Sequence, residues 1–209
     1  MALALTGFSV VAGGLLGWVN DVTAEPIAQA NAKTLSDAIA VVVPGFDNNP
    51  AEAPETVEVN GATYKIYKAT KGGQPIGAAV ESASNGFGGT LTVLVGFDNE
   101  GNIIDYSLLS HSETPGLGSK AADWFKKGAK GDITGKNPGK APLTVSKDGG
   151  DVDAITASTI TSRAFLLAVN NAYAAYMNQH VDGASGASQQ KKGAGEYEKT
   201  DTTNVEPIK

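Results

Sequence analysis

The sequence contains no cysteine and only two histidines, His111 and His180. Without cysteine the chain cannot form a disulfide, ligate an iron–sulfur cluster or carry a lipid on a cysteine. Two histidines are also too few for a histidine-rich metal or haem site. The chain lacks a G-x-S-x-G motif as well, and no catalytic arrangement of a nucleophile and an orienting acid can be identified for His111 in "SHSE". We therefore expect neither hydrolase activity nor a metal centre.

The sequence also has fewer basic than acidic residues. Sixteen Lys and Arg residues stand against 22 Asp and Glu residues, which gives a formal net charge of −6. Binding to nucleic acid requires clustered cations that neutralise phosphates, and no basic stripe is visible. With 209 residues, 41% hydrophobic and 18% charged, the chain is long enough for one packed domain with additional segments. We expect no nucleic-acid partner.

The N-terminal segment has no charged residue before Asp21. As a helix, its uncharged part would be about 28 Å long, close to the thickness of a bilayer's hydrocarbon core. The segment therefore predicts a transmembrane anchor at residues 1–20. The alternative is a signal peptide cleaved after "VTA" at residues 22–24, but no Lys or Arg precedes the apolar run, and the run exceeds the usual signal core.

Three further regions follow the N-terminal segment. Residues 21–55 combine a helical recurrence of apolar residues with a proline-rich stretch, which predicts a stalk helix and then a loop. Residues 56–181 mix strand and helix patterns, so we expect one α+β domain with an antiparallel sheet. Residues 182–209 are rich in Gly, Ser, Lys and Glu, which is typical of a mobile low-complexity tail.

Alternating apolar and polar residues predict the strands. "TVEVN" and "ATYKIYKAT" read as a pair around "NG" at residues 60–61, and "PIGAAVESASNGFGG" begins as a strand and ends in a glycine-rich turn. "TLTVLVGFDNEGNIIDYSLLSHSE" predicts a hairpin around "DNEG". "APLTVSKDGGDVDAI" predicts one or two more strands separated by a Gly-Gly turn.

Two helices are predicted within the domain. "SKAADWFKKG" at residues 119–128 reads as a short helix with Ser119 as its N-cap. From about Thr161 large apolar residues recur at three- to four-residue spacing, which predicts a longer helix.

Two stretches differ from ordinary domain-building sequence. "ETPGLG" at residues 113–118 lies between a predicted strand and a predicted helix, and its glycines would let backbone N–H groups approach a flat or anionic ligand. A tight strand-to-helix connection is the alternative.

The second stretch is "DAITASTITS", residues 153–162, which places five hydroxyl residues at the start of the long helix. A helix N-terminus stabilises phosphate through its unpaired N–H groups and partial positive charge. Alternatively Thr161 or Ser162 caps the helix and the others are residues with strand propensity. A single cap, however, needs only one hydroxyl.

The combination of "ETPGLG" and "DAITASTITS" resembles the covalent-FMN-binding domain of two membrane redox complexes, Rnf and the Na⁺-translocating NADH:quinone reductase. The N-terminal apolar segment, "VTAEPIA" and the overall length look most like the G subunits of Rnf, over roughly residues 1–178. In that family a motif D-x-x-[S/T]-G-A-[T/S] carries FMN through a phosphoester bond to its last hydroxyl.

The resemblance implies that Thr159 bears the FMN, because the motif frame here runs from Asp153 to Thr159. It also implies a set of residues around the cofactor. Along the ring these are Glu113, Thr114, Pro115, Gly116, Leu117 and Gly118, and within the hydroxyl-rich stretch they are Thr156, Ala157, Ser158, Ile160 and Thr161.

Two positions depart from the family's motif. Ala157 stands in place of Gly, and Ser158 stands in place of Ala. If the backbone at residue 157 needs a positive φ, only Gly adopts it cheaply. A second match, "DGASGAS" ending at Ser188, follows the motif's spelling more closely, but no predicted strand leads into it and no helix follows. We therefore favour Thr159.

The resemblance further implies a function. The chain would be a membrane-anchored electron-transfer subunit with covalently bound FMN in an ion-translocating ferredoxin:NAD oxidoreductase, with no catalytic constellation of its own. Its partners would be the other membrane and redox subunits of the complex, and a flavin transferase during maturation. Its place would be the bacterial inner membrane, crossed once, with the domain on the extracytoplasmic side. The alternatives are the FMN subunit of a Na⁺-translocating NADH:quinone reductase, or an anchored binding module without cofactor.

Overall fold

The computed structural model describes residues 2–59 and 62–177. The "NG" turn at residues 60–61, the tail at residues 182–209 and the second motif match ending at Ser188 lie outside this part of the chain. The described helices and strands are α1 (Ala2–Val42), β1 (Glu55–Val59), β2 (Ala62–Lys71), β3 (Gln74–Asn85), β4 (Thr90–Phe97), β5 (Ile103–Ser110), α2 (Ala121–Trp124) and α3 (Thr159–Tyr176). Short 3-10 helices lie at Pro50–Glu52, Gly118–Lys120 and Ser146–Asp148.

The five strands form one antiparallel sheet in the order β1-β2-β3-β4-β5, so each strand pairs with the next along the chain. The alternating residues that predict the strands also set the register, because a slip of one residue would move every side chain to the opposite face. The α+β class and the antiparallel sheet are confirmed.

Helices cover the two faces of the sheet. On one face Ile66, Val80 and Val95 pack in a core with Phe165 and Val169 of α3. Their direct neighbours along the strands point the other way. On this second face Tyr67, Ala69, Ala79 and Leu94 of the strands pack against the end of α1, which contributes Ala38, Ile39, Val42 and the following Val43. The sheet is therefore the middle layer, and α3 is held on one of its faces along most of its length.

Helix α1 continues without a break from Ala2 through Pro26 to Val42, so the predicted stalk helix and the N-terminal segment are one element. Its earlier turns expose large apolar side chains: Val10, Val11, Leu15, Leu16, Trp18 and Val19. Within the described residues, no helix has a stretch both long and apolar enough to span a membrane. The transmembrane anchor expected at residues 1–20 is thus not found, although the helix is. The predicted domain boundaries stay predictions.

Helix α2 is shorter than the expected helix at residues 119–128. It ends at Trp124 because the Tyr106 hydroxyl takes over the next helical hydrogen bond: it donates to the Ala121 carbonyl (2.7 Å) and accepts from the Phe125 N–H (3.2 Å). The prediction that Ser119 caps this helix is wrong. Ser119 lies in the preceding 3-10 helix, where its hydroxyl accepts from the Gly116 N–H (2.9 Å).

The strands expected in "APLTVSKDGGDVDAI" reduce to one parallel bridge between Val145 and Val152. Between them the chain turns back through the 3-10 helix Ser146–Asp148 and Gly149, whose φ is 88°. Thr144 and Val152 close the turn through a backbone hydrogen bond of 3.2 Å. The reversal is too tight for a longer ladder, and it brings the 3-10 helix beside α3.

A substitution at Gly96 can test how closely α1 approaches the sheet. A Cβ atom at this position of β4 would lie 2.0 Å from the Val42 carbonyl oxygen, which is backbone and cannot rotate away. We expect Gly96→Ala to lower the free energy of unfolding by about 2 kcal/mol, measured by urea denaturation. Gly17→Ala is the control, since nothing lies within 4 Å of its added Cβ. Equal stability of the two variants would contradict this packing.

Candidate functional site

The ETPGLG loop, residues 113–118, follows β5 as the sequence predicts, and it folds back on itself. The Thr114 carbonyl accepts hydrogen bonds from the N–H groups of Leu117 (3.1 Å) and Ser119 (3.3 Å). Gly116 has a φ of 76°, a conformation that favours glycine. Thr114, Pro115 and Gly116 are exposed, whereas the residues at both ends of the loop, Glu113 and Gly118, are buried. The loop thus presents its middle to solvent and anchors its ends in the protein.

The carboxylate of Glu113 joins three separate parts of the chain. Its side chain is buried, with 6% of the residue exposed. One oxygen, Oε1, accepts from the Gly88 N–H (3.1 Å) in the β3–β4 turn, and the other, Oε2, accepts from the Thr161 hydroxyl (2.7 Å) in α3. The ETPGLG loop and the start of α3, which lie 48 residues apart in the pair Glu113–Thr161, are therefore in direct contact.

Three glycines make room for this carboxylate and for the backbone that carries it. A Cβ atom at Gly86 would lie 2.1 Å from Oε1 of Glu113, and one at Gly118 would lie 2.6 Å from Oε2. A Cβ atom at Gly88 would lie 2.2 Å from the Ser112 carbonyl oxygen. Any other residue at these positions would displace the loop. We call Gly86, Gly88 and Gly118 the glycine cradle.

Two large apolar side chains next to the glycine cradle face solvent. Phe87, between two of its glycines, is 72% exposed, and Leu117, beside the third, is 41% exposed. Exposed apolar surface of this kind commonly marks a binding site. Both residues thus follow or precede a glycine of the cradle in the chain and expose apolar surface.

Helix α3 begins at Thr159, and the hydroxyls around its start have different environments. The hydroxyl of Thr161 is used by the Glu113 carboxylate. The Ser162 hydroxyl donates to the Ser158 carbonyl (3.0 Å) and accepts from the Ile155 N–H (2.9 Å). The alternative that Thr161 or Ser162 caps the helix is wrong, and the side chain of Ser158, at the cap position, makes no capping bond either.

The first N–H groups of α3 are therefore not satisfied by a side-chain cap. Such groups form an anion-binding end of a helix. Thr159 and Ile160 are half-buried at this end, Thr156 is exposed, and Ser158 is buried. Of these, Thr159 combines a position in the first turn with a partly accessible hydroxyl.

Ala157 is the only residue other than glycine with a positive φ in the described part of the chain, at 61°. The family's motif has Gly at this position, and a left-handed conformation costs an alanine roughly 1 kcal/mol. Residue 157 thus has the left-handed backbone conformation although it is alanine rather than glycine. The rest of the fold holds Ala157 in it.

Charged residues of the 3-10 helix Ser146–Asp148 lie against the first turns of α3. Arg163 donates two hydrogen bonds of 2.6 Å to the Asp148 carboxylate. These bonds, with the charge of Arg163, hold the pKa of Asp148 below its ordinary value. The Lys147 ammonium donates to Oγ1 of Thr159 at 3.2 Å. The candidate FMN-bearing hydroxyl therefore has a cation beside it.

Sequence reasoning missed the partners that complete this arrangement. The glycine-rich pattern predicts only a flexible turn at Gly86 and Gly88, and it assigns no role to Phe87 or Lys147. The repeated glycines of "NGFGG" were the available signal, because conformational freedom alone does not require three of them around one aromatic residue. Lys147 had no signal in the sequence, since its contact depends on the tight turn at residues 145–152.

The strain at Ala157 leads to a stability prediction. We expect Ala157→Gly to raise the free energy of unfolding by about 1 kcal/mol, because glycine removes the cost of the left-handed conformation. Urea denaturation measures the change. Ala154→Gly is the matched control, with a φ that is not positive and a side chain packed on the core, and it should lower stability. A destabilised Ala157→Gly protein would contradict the prediction.

The central position of Glu113 leads to a second prediction. Glu113→Ala leaves the Thr161 hydroxyl and the Gly88 N–H without their acceptor, so we expect the free energy of unfolding to fall by about 3 kcal/mol. Glu113→Gln keeps one acceptor oxygen and should lose less. The exposed Glu58 on β1 provides the control, and Glu58→Ala should change stability by no more than about 0.5 kcal/mol. A loss equal to the control's would show that the Glu113 contacts are unimportant.

A family model and a solved structure are similar to parts of this chain. The sequence model of the FMN-binding domain family matches residues 86–174, which begin at the glycine cradle and end in α3. Among solved structures, the C subunit of the Na⁺-translocating NADH-quinone reductase from Parabacteroides distasonis aligns with a TM-score of 0.48 at 22% identity, covering 71% of this chain and 91% of that one.

Curated relatives are similar over most of their length. The G subunit of the ion-translocating oxidoreductase complex from Yersinia pestis is 36% identical, covering 81% of this chain and 86% of the relative. The proteins of the same name from Cereibacter sphaeroides and Vibrio cholerae are 36% and 35% identical, covering 76% and 89% of those relatives and 78% and 85% of this chain. On these similarities the chain belongs to the family of G subunits of ion-translocating oxidoreductase complexes.

Proposed function

We propose that this chain is the FMN-carrying electron-transfer subunit of an ion-translocating ferredoxin:NAD oxidoreductase complex. The observation that carries the proposal is the contact between Glu113 and Thr161, which joins the ETPGLG loop to the start of α3. The two stretches on which the FMN resemblance rests are thus in direct contact, which supports a single site. The names of the relatives supply the class of complex.

The residues present fit FMN. FMN has a phosphate at one end and a flat, largely apolar ring system at the other. The uncapped start of α3 and Lys147 offer donors and positive charge for the phosphate. The exposed Leu117 side chain and the exposed middle of the ETPGLG loop offer apolar surface for the ring. When bound, FMN supplies one- and two-electron transfer.

Each part of the site would have its own task. Glu113 holds the ETPGLG loop at a fixed position relative to α3, so that ring and phosphate are bound by one rigid unit. Phe87 and Leu117 would border the ring and shield it from water, which tunes its redox properties. Both oxygens of Glu113 are occupied within the protein, so we assign this residue to positioning rather than to ring contact.

We assign the covalent link to Thr159 by comparing the hydroxyls. Those of Thr161 and Ser162 are engaged in internal hydrogen bonds, and Ser158 is buried. Thr156 is exposed but precedes the helix. Thr159 alone among the five lies in the first turn with its hydroxyl beside an ammonium group. Its position at the end of the family's motif supports the same choice.

Formation of this link requires an activated FMN donor. The Oγ1 atom of Thr159 forms a bond to the FMN phosphorus, and the phosphoanhydride bond of the donor breaks, so that the second phosphate departs with the bridging oxygen. The hydroxyl proton passes to a base of the transferase or to solvent. A flavin transferase is therefore the partner that we propose for maturation.

The earlier turns of α1 supply a surface for the rest of the complex. Six large apolar side chains between Val10 and Val19 are exposed, and such an extended apolar patch seldom remains in contact with water. We propose that these turns pack against apolar helices of partner subunits at the bacterial inner membrane, with the FMN domain on the extracytoplasmic side. Only the last turns of α1 are then needed to hold the domain itself.

Denaturing gels test the assignment of Thr159. The protein produced together with a flavin transferase should show flavin fluorescence that survives denaturation, and intact mass should exceed the polypeptide by one FMN less water. Thr159→Ala should lose both signals, because no neighbouring hydroxyl has the same position. Thr156→Ala, which removes an exposed hydroxyl of the same stretch, should keep them. Full fluorescence in the Thr159→Ala protein would refute the site, and the bare polypeptide mass in the wild type would favour a module without cofactor.

A further inference from the structure

Lys147 has a position that neither motif explains. It is exposed and belongs to the 3-10 helix Ser146–Asp148, a dozen residues before Thr159, and its ammonium reaches Oγ1 of Thr159 at 3.2 Å. A long, flexible side chain can reach many points on a surface, so this contact is specific only if the fold holds the backbone of Lys147 in place.

The backbone that carries Lys147 is fixed from both sides. Val145 and Val152 are each 1% exposed and form the parallel bridge below the 3-10 helix. A Cβ atom at Gly150 would lie 2.0 Å from the Thr144 carbonyl oxygen, so the turn closes with backbone against backbone. The neighbouring Asp148 is tied to α3 by the two bonds from Arg163. Lys147 is therefore held directly opposite the first turn of α3.

The hydrogen bond of Lys147 goes to Thr159, while its charge also acts on the nearby Asp148 carboxylate. Arg163 lies one helical turn after Thr159, but its guanidinium is paired with Asp148, and this pairing raises its pKa. Lys147 instead donates to a neutral hydroxyl. If Thr159 becomes a phosphodiester, the non-bridging oxygens carry one negative charge about one P–O bond beyond Oγ1, within reach of the same ammonium. Charge-assisted hydrogen bonds of this kind are roughly twice as strong as neutral ones.

We propose that Lys147 is the phosphate-binding residue of the flavinylation site, which pairs with the phosphodiester on Thr159 and, before that, with the FMN phosphate as the bond forms. This inference rests on the proposed function. Asp148 and Arg163 serve as positioning residues that hold the 3-10 helix so that Lys147 faces Thr159.

The experiment compares Lys147→Gln and Lys147→Arg with Lys140→Gln, a change of an exposed lysine on another loop. Each full-length protein is incubated with the flavin transferase and its flavin donor, and incorporation is followed by intact mass. The loaded proteins are then examined by ³¹P NMR. We expect Lys147→Gln to lower the initial rate of incorporation about threefold or more, as for loss of one partly exposed charge pair, and to shift the phosphodiester resonance. Lys147→Arg should retain most of the rate, and Lys140→Gln should match the wild type in both readouts.

Several outcomes would overturn the assignment of Lys147. One is a Lys147→Gln protein that matches Lys140→Gln in both rate and resonance. Another is an equal loss in the Lys147→Gln and Lys147→Arg proteins, since only arginine keeps the positive charge and the reach of lysine. Thermal unfolding should be the same for all variants, because both lysines are exposed. A wild-type protein that takes up no flavin under these conditions would instead refute the proposed function itself.

Discussion

The site depends on one buried carboxylate whose two oxygens both accept hydrogen bonds from within the protein. Glu113 receives the Gly88 N–H on one side and the Thr161 hydroxyl on the other. Because a buried carboxylate loses its hydration, it is tolerated only where donors replace water, and here the donors come from a turn and a helix that are remote in sequence. Glu113 can therefore be buried without a large loss of stability only when the turn, the loop and α3 are all in place.

The same carboxylate explains the distribution of glycine around the site. Gly86 and Gly118 each leave a space that a Cβ atom would fill, so the turn and the loop approach Glu113 by backbone alone. The apolar residues beside them, Phe87 and Leu117, are consequently directed outward. The glycines thus allow close backbone packing around Glu113, while Phe87 and Leu117 leave apolar surface exposed beside it. Such a surface suits a flat ligand.

Much of the fold was predictable from local sequence because its elements have clear periodicity. The hairpins follow from alternating residues and short turns, and α3 follows from the spacing of residues such as Phe165 and Tyr173. Residues 125–158 were not predictable in the same way. There Tyr106 replaces a helical hydrogen bond of α2, and Arg163 fixes a turn on a distant helix, so long-range side-chain contacts decide the local structure. The motif indicated Thr159 as the candidate and drew attention to the backbone at Ala157, whereas the contacts of Gly88 and Lys147 required the folded chain.

The order of the sheet has a consequence for how the molecule assembles. Every strand pairs with its neighbour in sequence, so the contacts of the sheet join residues that are close along the chain. Such local contacts favour rapid folding. The two helices that cover it come from opposite ends of the described chain, α1 before the first strand and α3 after the last. Covering both faces is therefore a late, long-range event. A nascent chain that has completed β5 still exposes the face that α3 will occupy. Thr159, the proposed acceptor for the flavin, therefore reaches its helical setting only once that last segment has docked.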